Sequence, residues 1–476
     1  MNILFAASEC TPLIKTGGLG DVIQALPARL AQRPDCQLCI ILPYYAFIKN
    51  NPDIQTEFID NFSLQLSWRI QHVGLFRLVS PDNPIKIYFI DNEYYFGRPG
   101  IYGFSDDGER YAYFSKAVLE SISRLPCIPD VIHCHDWQTA LIPFFIHAEY
   151  ARKYGHIPTV FTIHNIEYQG KCEMHFYEDV LGEPDLWKNA LTFDNHINCL
   201  KGGIELADGV TTVSKTYAEE LKYPFFAHGL ADIIKRHEKK LVGIVNGIDP
   251  DLYDPVHLTG LAANYSANDL SGKAINKEAL QKELGLDVNP DVPLIVIISR
   301  LVPHKGLELI RYVWEDFLTW DCQLAILGTG YPEYEDMFRK AAKKHPGKVS
   351  ATFAFDSRLA NRMYAGADIF LMPSKSEPCG LSQLIAMRYG TVPVVREVGG
   401  LRDTVPTFSK EEKTGRGFTF QSYNAHDMLD AIGRAIACYF DKETWKDLIK
   451  TVMEADTSWN ASAEEYMKLY QTVRKN

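Results

Sequence analysis

No stretch of this 476-residue sequence approaches the roughly 18 consecutive apolar residues that a membrane span needs, so a helical membrane protein is excluded. The start, Met1-Asn2-Ile3-Leu4-Phe5-Ala6-Ala7-Ser8-Glu9, lacks a basic leader and a long apolar run, and the expectation is a soluble cytoplasmic protein. Lys and Arg are nowhere gathered into a stripe, and the formal net charge is −11. That balance argues against nucleic acid as a partner and makes any phosphate recognition local and small. The ten cysteines have no framework spacing. Cys36 and Cys39 form a C-x-x-C, but at the edge of the apolar run 38–42, where a buried strand is expected rather than a redox or metal site. The G-x-G-x-x-G fingerprint and the Walker loop are also missing, which weighs against an NAD-dependent dehydrogenase.

What is present is length and alternation. A chain of this size is too long for one ordinary core, and two domains of about 200 residues each are expected. In the first half, short apolar runs at 3–7, 38–42, 85–91, 131–135, 159–163 and 210–213 read as buried parallel strands, with amphipathic segments such as 111–124 between them. A less periodic stretch follows from 242 to about 291, carrying Asn246-Gly247 and several prolines. The alternation resumes at 294–299, 323–327, 349–355, 367–372, 392–396 and 417–420. The reading is α/β, with two doubly wound domains at 1–242 and 243–456, and a helical segment at 457–476 that could pack back across the junction. Ligands of such domains belong at the C-terminal ends of the strands.

The unusual residues gather at those ends. The stretch 373–390 starts where an apolar run stops at Pro373. Gly380 then opens a short helix with Leu381, Leu384 and Ile385 at helical spacing, and Gly390 closes it. A helix N-terminus there suits a phosphate. Glu377 would be repelled by that phosphate unless it faces the hydroxyls of a neutral group attached to it, which suggests a nucleotide-sugar. After the first strand, Lys15-Thr16-Gly17-Gly18-Leu19-Gly20-Asp21 leads into a helix: paired glycines for close backbone approach, a helix N-terminus for an anion, and a mobile charge on Lys15.

His133-Cys134-His135-Asp136 ends the fourth strand by this count. Adjacent strand residues point to opposite faces, so the cluster cannot converge on a metal by itself, and Asp136 is the functional candidate, the alternative being a helix cap. His164 and Asn165 end the next strand. Arg300 and Lys305 flank the first strand end of the second half and could neutralise a diphosphate leaving group. Asp249-Pro250-Asp251 reads as a turn rather than a metal-binding D-x-D. Cys379, near a helix start, has no base beside it and reads as packing or pocket lining.

Together Lys15 to Asp21, Thr162-Ile163-His164-Asn165, Ser299 to Gly306 and Glu377-Pro378-Cys379-Gly380-Leu381 resemble the bacterial glycogen and plant starch synthases. Lys201-Gly202-Gly203-Ile204, Asn246-Gly247-Ile248-Asp249 and Arg396 to Leu401 extend the resemblance along almost the whole chain, in the family's order. The resemblance implies a GT-B fold, with two Rossmann-like domains facing a deep cleft, acceptor side first and donor side second. It also implies a retaining transfer of glucose from ADP-glucose to the non-reducing end of an α-1,4-glucan, without a metal or cofactor. A plastid location is open only if a transit peptide has been removed. Position by position, Lys15 and the Gly17-Gly18 backbone would face the donor phosphates from the first domain, with Asp21 in the substrate-binding set. Arg300, Lys305 and the backbone at Gly380 and Leu381 would serve them from the second. Glu377 would hold glucose hydroxyls; Asp136, His164 and Asn165 would line the glucose and acceptor side, with the His164 carbonyl at the back face. Asn246 and Cys379 join the substrate-binding set, and Phe355 offers a face to a base.

The family commonly has Arg-Phe where this chain has Lys375-Ser376, Pro for Lys215, Gln for His304, Trp for Tyr253 and Tyr for Phe355. The Lys375-Ser376 change touches the Glu377 turn, so donor affinity or nucleotide preference is where a difference is expected. The alternatives are the same reaction from UDP-glucose and a non-catalytic glucan-binding paralogue. Nothing marks a phosphorylase's pyridoxal-phosphate lysine.

Overall fold

The computed structural model describes residues 1–475. The chain divides into two compact units, one formed by Met1–Asn246 together with the C-terminal segment from Trp459, the other by Gly247–Ser458.

The first unit is built on β1 (Asn2–Ala6), β2 (Gln37–Pro43), β3 (Thr56–Leu66), β4 (Arg69–Leu78), β5 (Lys86–Asp91), β6 (Val131–His135) and β7 (Thr159–Ile163). Three short strands follow, β8 (Lys171–Glu173), β9 (Thr192–Phe193) and β10 (His196–Asn198), and then β11 (Gly209–Thr212) and β12 (Leu241–Gly243). The large sheet runs β12-β11-β7-β6-β1-β2-β5-β4-β3, and β8, β10 and β9 form a separate small one. From β12 to β5 all neighbours are parallel, with Ile3 beside Leu38 and beside Val131 in register. These strands are apolar on both faces because helices cover both. Phe5, Ile41, Phe89, Ile132 and Phe161 are essentially inaccessible to solvent, and each such side chain contributes about 1.5–3 kcal/mol of burial.

The antiparallel extension β5-β4-β3 departs from the expected all-parallel sheet. Its strands carry few uninterrupted apolar residues, and Phe58 and Ile70 on them stay exposed, so the pattern of a buried strand is absent. With β3 and β4 included, His133 to Asp136 ends the sixth strand of the unit and not the fourth. The helix Asn460–Val473 belongs to this unit: the Tyr470 hydroxyl lies 2.8 Å from His133 Nδ1, and Arg33 pairs with Glu464 at 2.6 Å.

The second unit is one parallel sheet of β13 (Leu294–Ile298), β14 (Gln323–Leu327), β15 (Val349–Thr352), β16 (Ile369–Met372), β17 (Val392–Arg396) and β18 (Phe418–Phe420), ordered β15-β14-β13-β16-β17-β18. Numbered within the unit, that order is 3-2-1-4-5-6, the doubly wound arrangement. The strand expected to reach 355 stops at Thr352, leaving Phe355 in the following loop with 85% of its surface exposed.

Candidate functional site

In a doubly wound sheet the chain leaves the first and fourth strands in opposite directions, and ligands bind in the crevice this opens at the carboxyl ends. In the first unit that point lies between β1 and β6, since β1 has β2 on one side and β6 on the other. In the second it lies between β13 and β16. Lys15, Asp136, Arg300, Lys305 and Glu377 lie in the segments that follow these four strands, whereas His164 and Asn165 follow β7, the strand beside β6.

After β1 the loop 15–18 precedes the helix Gly18–Leu30, whose N-cap is Gly17. Lys15 is not a mobile charge: its Nζ is 2.7 Å from the carboxylate of Asp21, in the helix's first turn. Nor is the Gly17 N–H open to a phosphate, because it donates to Glu9 Oε2 at 3.2 Å. After β6, Asp136 takes a left-handed φ of 57°. It does not cap the short helix that follows; its Oδ1 accepts the His164 backbone N–H at 2.7 Å. Asp136 thereby ties the end of β6 to the end of β7, and loss of solvation there pushes its carboxyl up to about 7. His164 Nε2 lies 3.0 Å from His135 Nδ1, and the rings of His133 and His135 are 4.0 Å apart. Burial holds all three imidazoles below their ordinary pKa, that of His164 at about 3. These neutral rings, packed at tilted angles, are a core element, not a ligand set, and among the described residues no group of three or more His, Cys, Asp or Glu is placed to hold a metal. Asn165 Oδ1 accepts the N–H of Glu167 at 3.0 Å, shaping the turn. Asn246 is buried, and its Oδ1 finds no hydrogen-bond partner among the described residues.

In the second unit Arg300 follows β13 and is exposed, with no ion-pair partner among the described residues. Lys305 Nζ lies 2.5 Å from Glu377 Oε2. Ser374 Oγ donates to the same Oε2 at 3.0 Å. The two side chains are 14% and 9% exposed, so each charge depends on the other for its solvation. Gly380 does not open the helix: with φ at 73° it precedes Leu381, the N-cap of Ser382–Arg388. Gln383 Nε2, from the first turn of that helix, donates back to the carbonyls of Gly380 at 2.9 Å and Cys379 at 3.2 Å. Cys379 is buried beneath the turn, as a packing residue would be. Lys375 donates its N–H to the His304 carbonyl at 2.8 Å, and its ammonium lies 5.8 Å from the Tyr423 ring, on which Arg396 also sits.

Three contributors escaped the sequence reading. Glu9, directly after β1, looks like the end of an apolar run, yet it organises the loop 15–18. Gly399 and Gly400, within a quoted motif but without an assigned role, press the start of the helix Gly399–Thr404 against the Glu377 turn. A Cβ at Gly399 would come within 2.0 Å of the Glu377 carbonyl oxygen, and one at Gly400 within 2.2 Å of that of Cys379. Their signal was the Gly-Gly pair following a strand, which marks close backbone approach.

Two doubly wound units in one chain, each with polar residues at its switch point, make up the architecture of the GT-B fold. Comparison with known proteins agrees: the family model for a starch synthase catalytic domain matches residues 2–236, and that for group 1 glycosyl transferases matches 277–452. The chain is 46% identical to a glycogen synthase of Exiguobacterium sibiricum, covering 99% of both chains, and 44% identical to that of Alkaliphilus metalliredigens, covering 99% of this chain and all of the relative. Among solved structures it is similar to the catalytic domain of starch synthase IV from Arabidopsis thaliana bound to ADP and acarbose, with a TM-score of 0.91, 34% identity and coverage of 100% and 99%. The chain belongs to the glycogen and starch synthase family.

Proposed function

We propose that this enzyme transfers glucose from ADP-glucose to the non-reducing end of an α-1,4-glucan with retention of the anomeric configuration. The observation that carries this reading is the division of labour on Glu377. Its Oε2 is fixed by Lys305 and Ser374, which leaves Oε1 to accept sugar hydroxyls while the Lys305 ammonium stays beside it for the phosphate the sugar leaves. The ADP in the starch synthase IV structure supports the donor nucleotide.

In this mechanism the C1–O bond to the diphosphate breaks as the acceptor hydroxyl oxygen bonds to C1 on the same face. The departing phosphate oxygen takes the hydroxyl proton, so charge and protons balance without a co-reactant. Lys305 and the exposed Arg300 stabilise the charge growing on the diphosphate, the kind of preorganised contribution whose removal costs about a hundredfold or more in rate. Lys15 adds to it, with Asp21 holding its ammonium in place. In this reading the His164 carbonyl takes the back face, and the Asp136 hydrogen bond to the His164 N–H anchors the chain just before it. Phe355, exposed as a stacking face must be, takes the base.

The second reading is UDP-glucose as donor, favoured by Lys375-Ser376 beside the Glu377 turn. Initial rates of glucose incorporation into glycogen from ADP-glucose and UDP-glucose, measured side by side, decide it. Faster incorporation from ADP-glucose is expected. Faster incorporation from UDP-glucose overturns the donor assignment, and no incorporation from either overturns the activity.

A further inference from the structure

We propose that Glu9 is a positioning residue for the transfer: it sets the loop 15–18, and through it the Lys15 ammonium, without itself touching substrate. The proposal rests on Lys15 serving the donor phosphates as described above.

Glu9 is 3% exposed, and both its oxygens are fully used. Oε2 accepts the backbone N–H of Thr16 at 2.6 Å and of Gly17 at 3.2 Å. Oε1 accepts the Thr16 hydroxyl at 2.7 Å and the Tyr102 hydroxyl at 2.8 Å. The Tyr102 oxygen lies in turn 2.7 Å from Ser8 Oγ. A carboxylate is the side chain that can accept on both oxygens from four donors at once.

The segment before the loop is closed by the reciprocal backbone bonds of Cys10 and Ile14 and by the Thr11 N–H on the Gly20 carbonyl, each 3.0 Å, but at Thr16 and Gly17 the backbone N–H groups go to Glu9. Lys15 and Thr16 are exposed, and nothing stands within 4 Å of where a Gly17 Cβ would be. An exposed loop with a Gly-Gly pair loses much conformational freedom on ordering, and these hydrogen bonds are what oppose that loss. A buried carboxylate close to an anion site is unfavourable on charge alone, so its presence needs a purpose other than contact with the anion. Its four donors disperse that charge. The Lys15–Asp21 pair at 2.7 Å then fixes the far side of the same loop, so the Lys15 ammonium is aimed from two directions. Glu9 also adds to the field that raises the Asp136 carboxyl across the switch point, which places it within the same group of residues.

The test compares Glu9→Ala and Glu9→Gln with the unsubstituted full chain in three measurements: steady-state transfer from ADP-glucose, amide hydrogen exchange over residues 10–20, and thermal unfolding. Glutamine can keep its carbonyl towards the two backbone N–H groups and donate to the hydroxyls once they rotate. Glu9→Ala should cut kcat/KM by about a hundredfold, since a misplacement of about 1 Å costs that much, and should speed exchange at Thr16 and Gly17. Glu9→Gln should recover most of both. Transfer within about threefold of the unsubstituted chain for Glu9→Ala overturns the proposal by the same scale. So does a loss of transfer with unchanged exchange over 10–20, which would make Glu9 a direct substrate contact. If Glu9→Ala does not fold, Tyr102→Phe and Thr16→Val each remove one hydroxyl donor from the same carboxylate. Faster exchange in the loop is then expected, and unchanged exchange in both overturns it. An unsubstituted chain that transfers from neither ADP-glucose nor UDP-glucose overturns the reading of the activity, while the exchange measurement still decides whether Glu9 holds the loop.

Discussion

The Lys305–Glu377 pair is the place where stability and chemistry meet in single side chains. Both are largely buried and the contact is 2.5 Å, so removing one partner leaves a desolvated charge, at a cost of about 3–5 kcal/mol. Lys305→Ala and Glu377→Ala should each lower the urea stability of the chain by that order, and the double variant by less than the sum. Transfer should behave differently: each single variant is expected to lose about a hundredfold or more, and the double variant should regain none of it. Near-normal turnover in both single variants would remove the pair from the mechanism. Lys375 is a milder case. Its backbone is held by His304 and Arg396, and its side chain shares the Tyr423 ring with Arg396, so it bears on the donor through the turn's surroundings more than through its shape.

At the scale of elements, the functional turn is shaped by backbone pressed on backbone. The turn after β16 is met by Gly306, where a Cβ would lie 2.0 Å from the Pro373 carbonyl, and by Gly399 on the Glu377 carbonyl. Gly399 also has a φ of 46°. Gly399→Ala must therefore push the turn that carries Glu377, and transfer should fall by about a hundredfold. Gly285→Ala is the control. Its φ of 67° gives comparable strain, but open space surrounds it, so it should cost about 1 kcal/mol in stability and leave transfer unchanged. A Gly399→Ala enzyme with full activity would show that the turn moves freely.

For the molecule as a whole, the three buried histidines predict acid lability. His133, His135 and His164 are held neutral by burial, whereas in the unfolded chain each takes a proton below about pH 6.5. Asp136 opposes them: with its carboxyl at about 7, the fold keeps a proton that an unfolded aspartate releases above its ordinary value of 3.8. Near pH 5 the unfolded state thus binds three more protons on the histidines and the folded state one more on Asp136, a net of two. Stability therefore falls with pH from about 6.5 towards 5, by at most roughly 3 kcal/mol per pH unit from these four groups. Urea unfolding at about pH 7, 6 and 5 checks it, and a flat profile over that range would contradict the neutral histidines.

The apolar runs and their spacing sufficed for two α/β halves, because strands covered on both faces must be apolar at nearly every position. For the same reason the residues at the strand ends stood out: a Lys, Glu or His directly after such a run has few reasons to be there. The hairpin of β3 and β4 was hidden, since strands left partly open to solvent have no such constraint. The partners were hidden too. That Glu377 faces Lys305 and that Asp136 holds the His164 N–H depend on which strands lie side by side, and that Glu9 takes the Gly17 N–H depends on how the single loop after β1 folds back on itself. Strand order is set by crossovers between distant segments, and no local pattern records it. Residue type and position along the chain were thus written in the sequence; what each polar atom is bonded to was decided only when β6 met β7, β13 met β16 and the loop after β1 closed on Glu9.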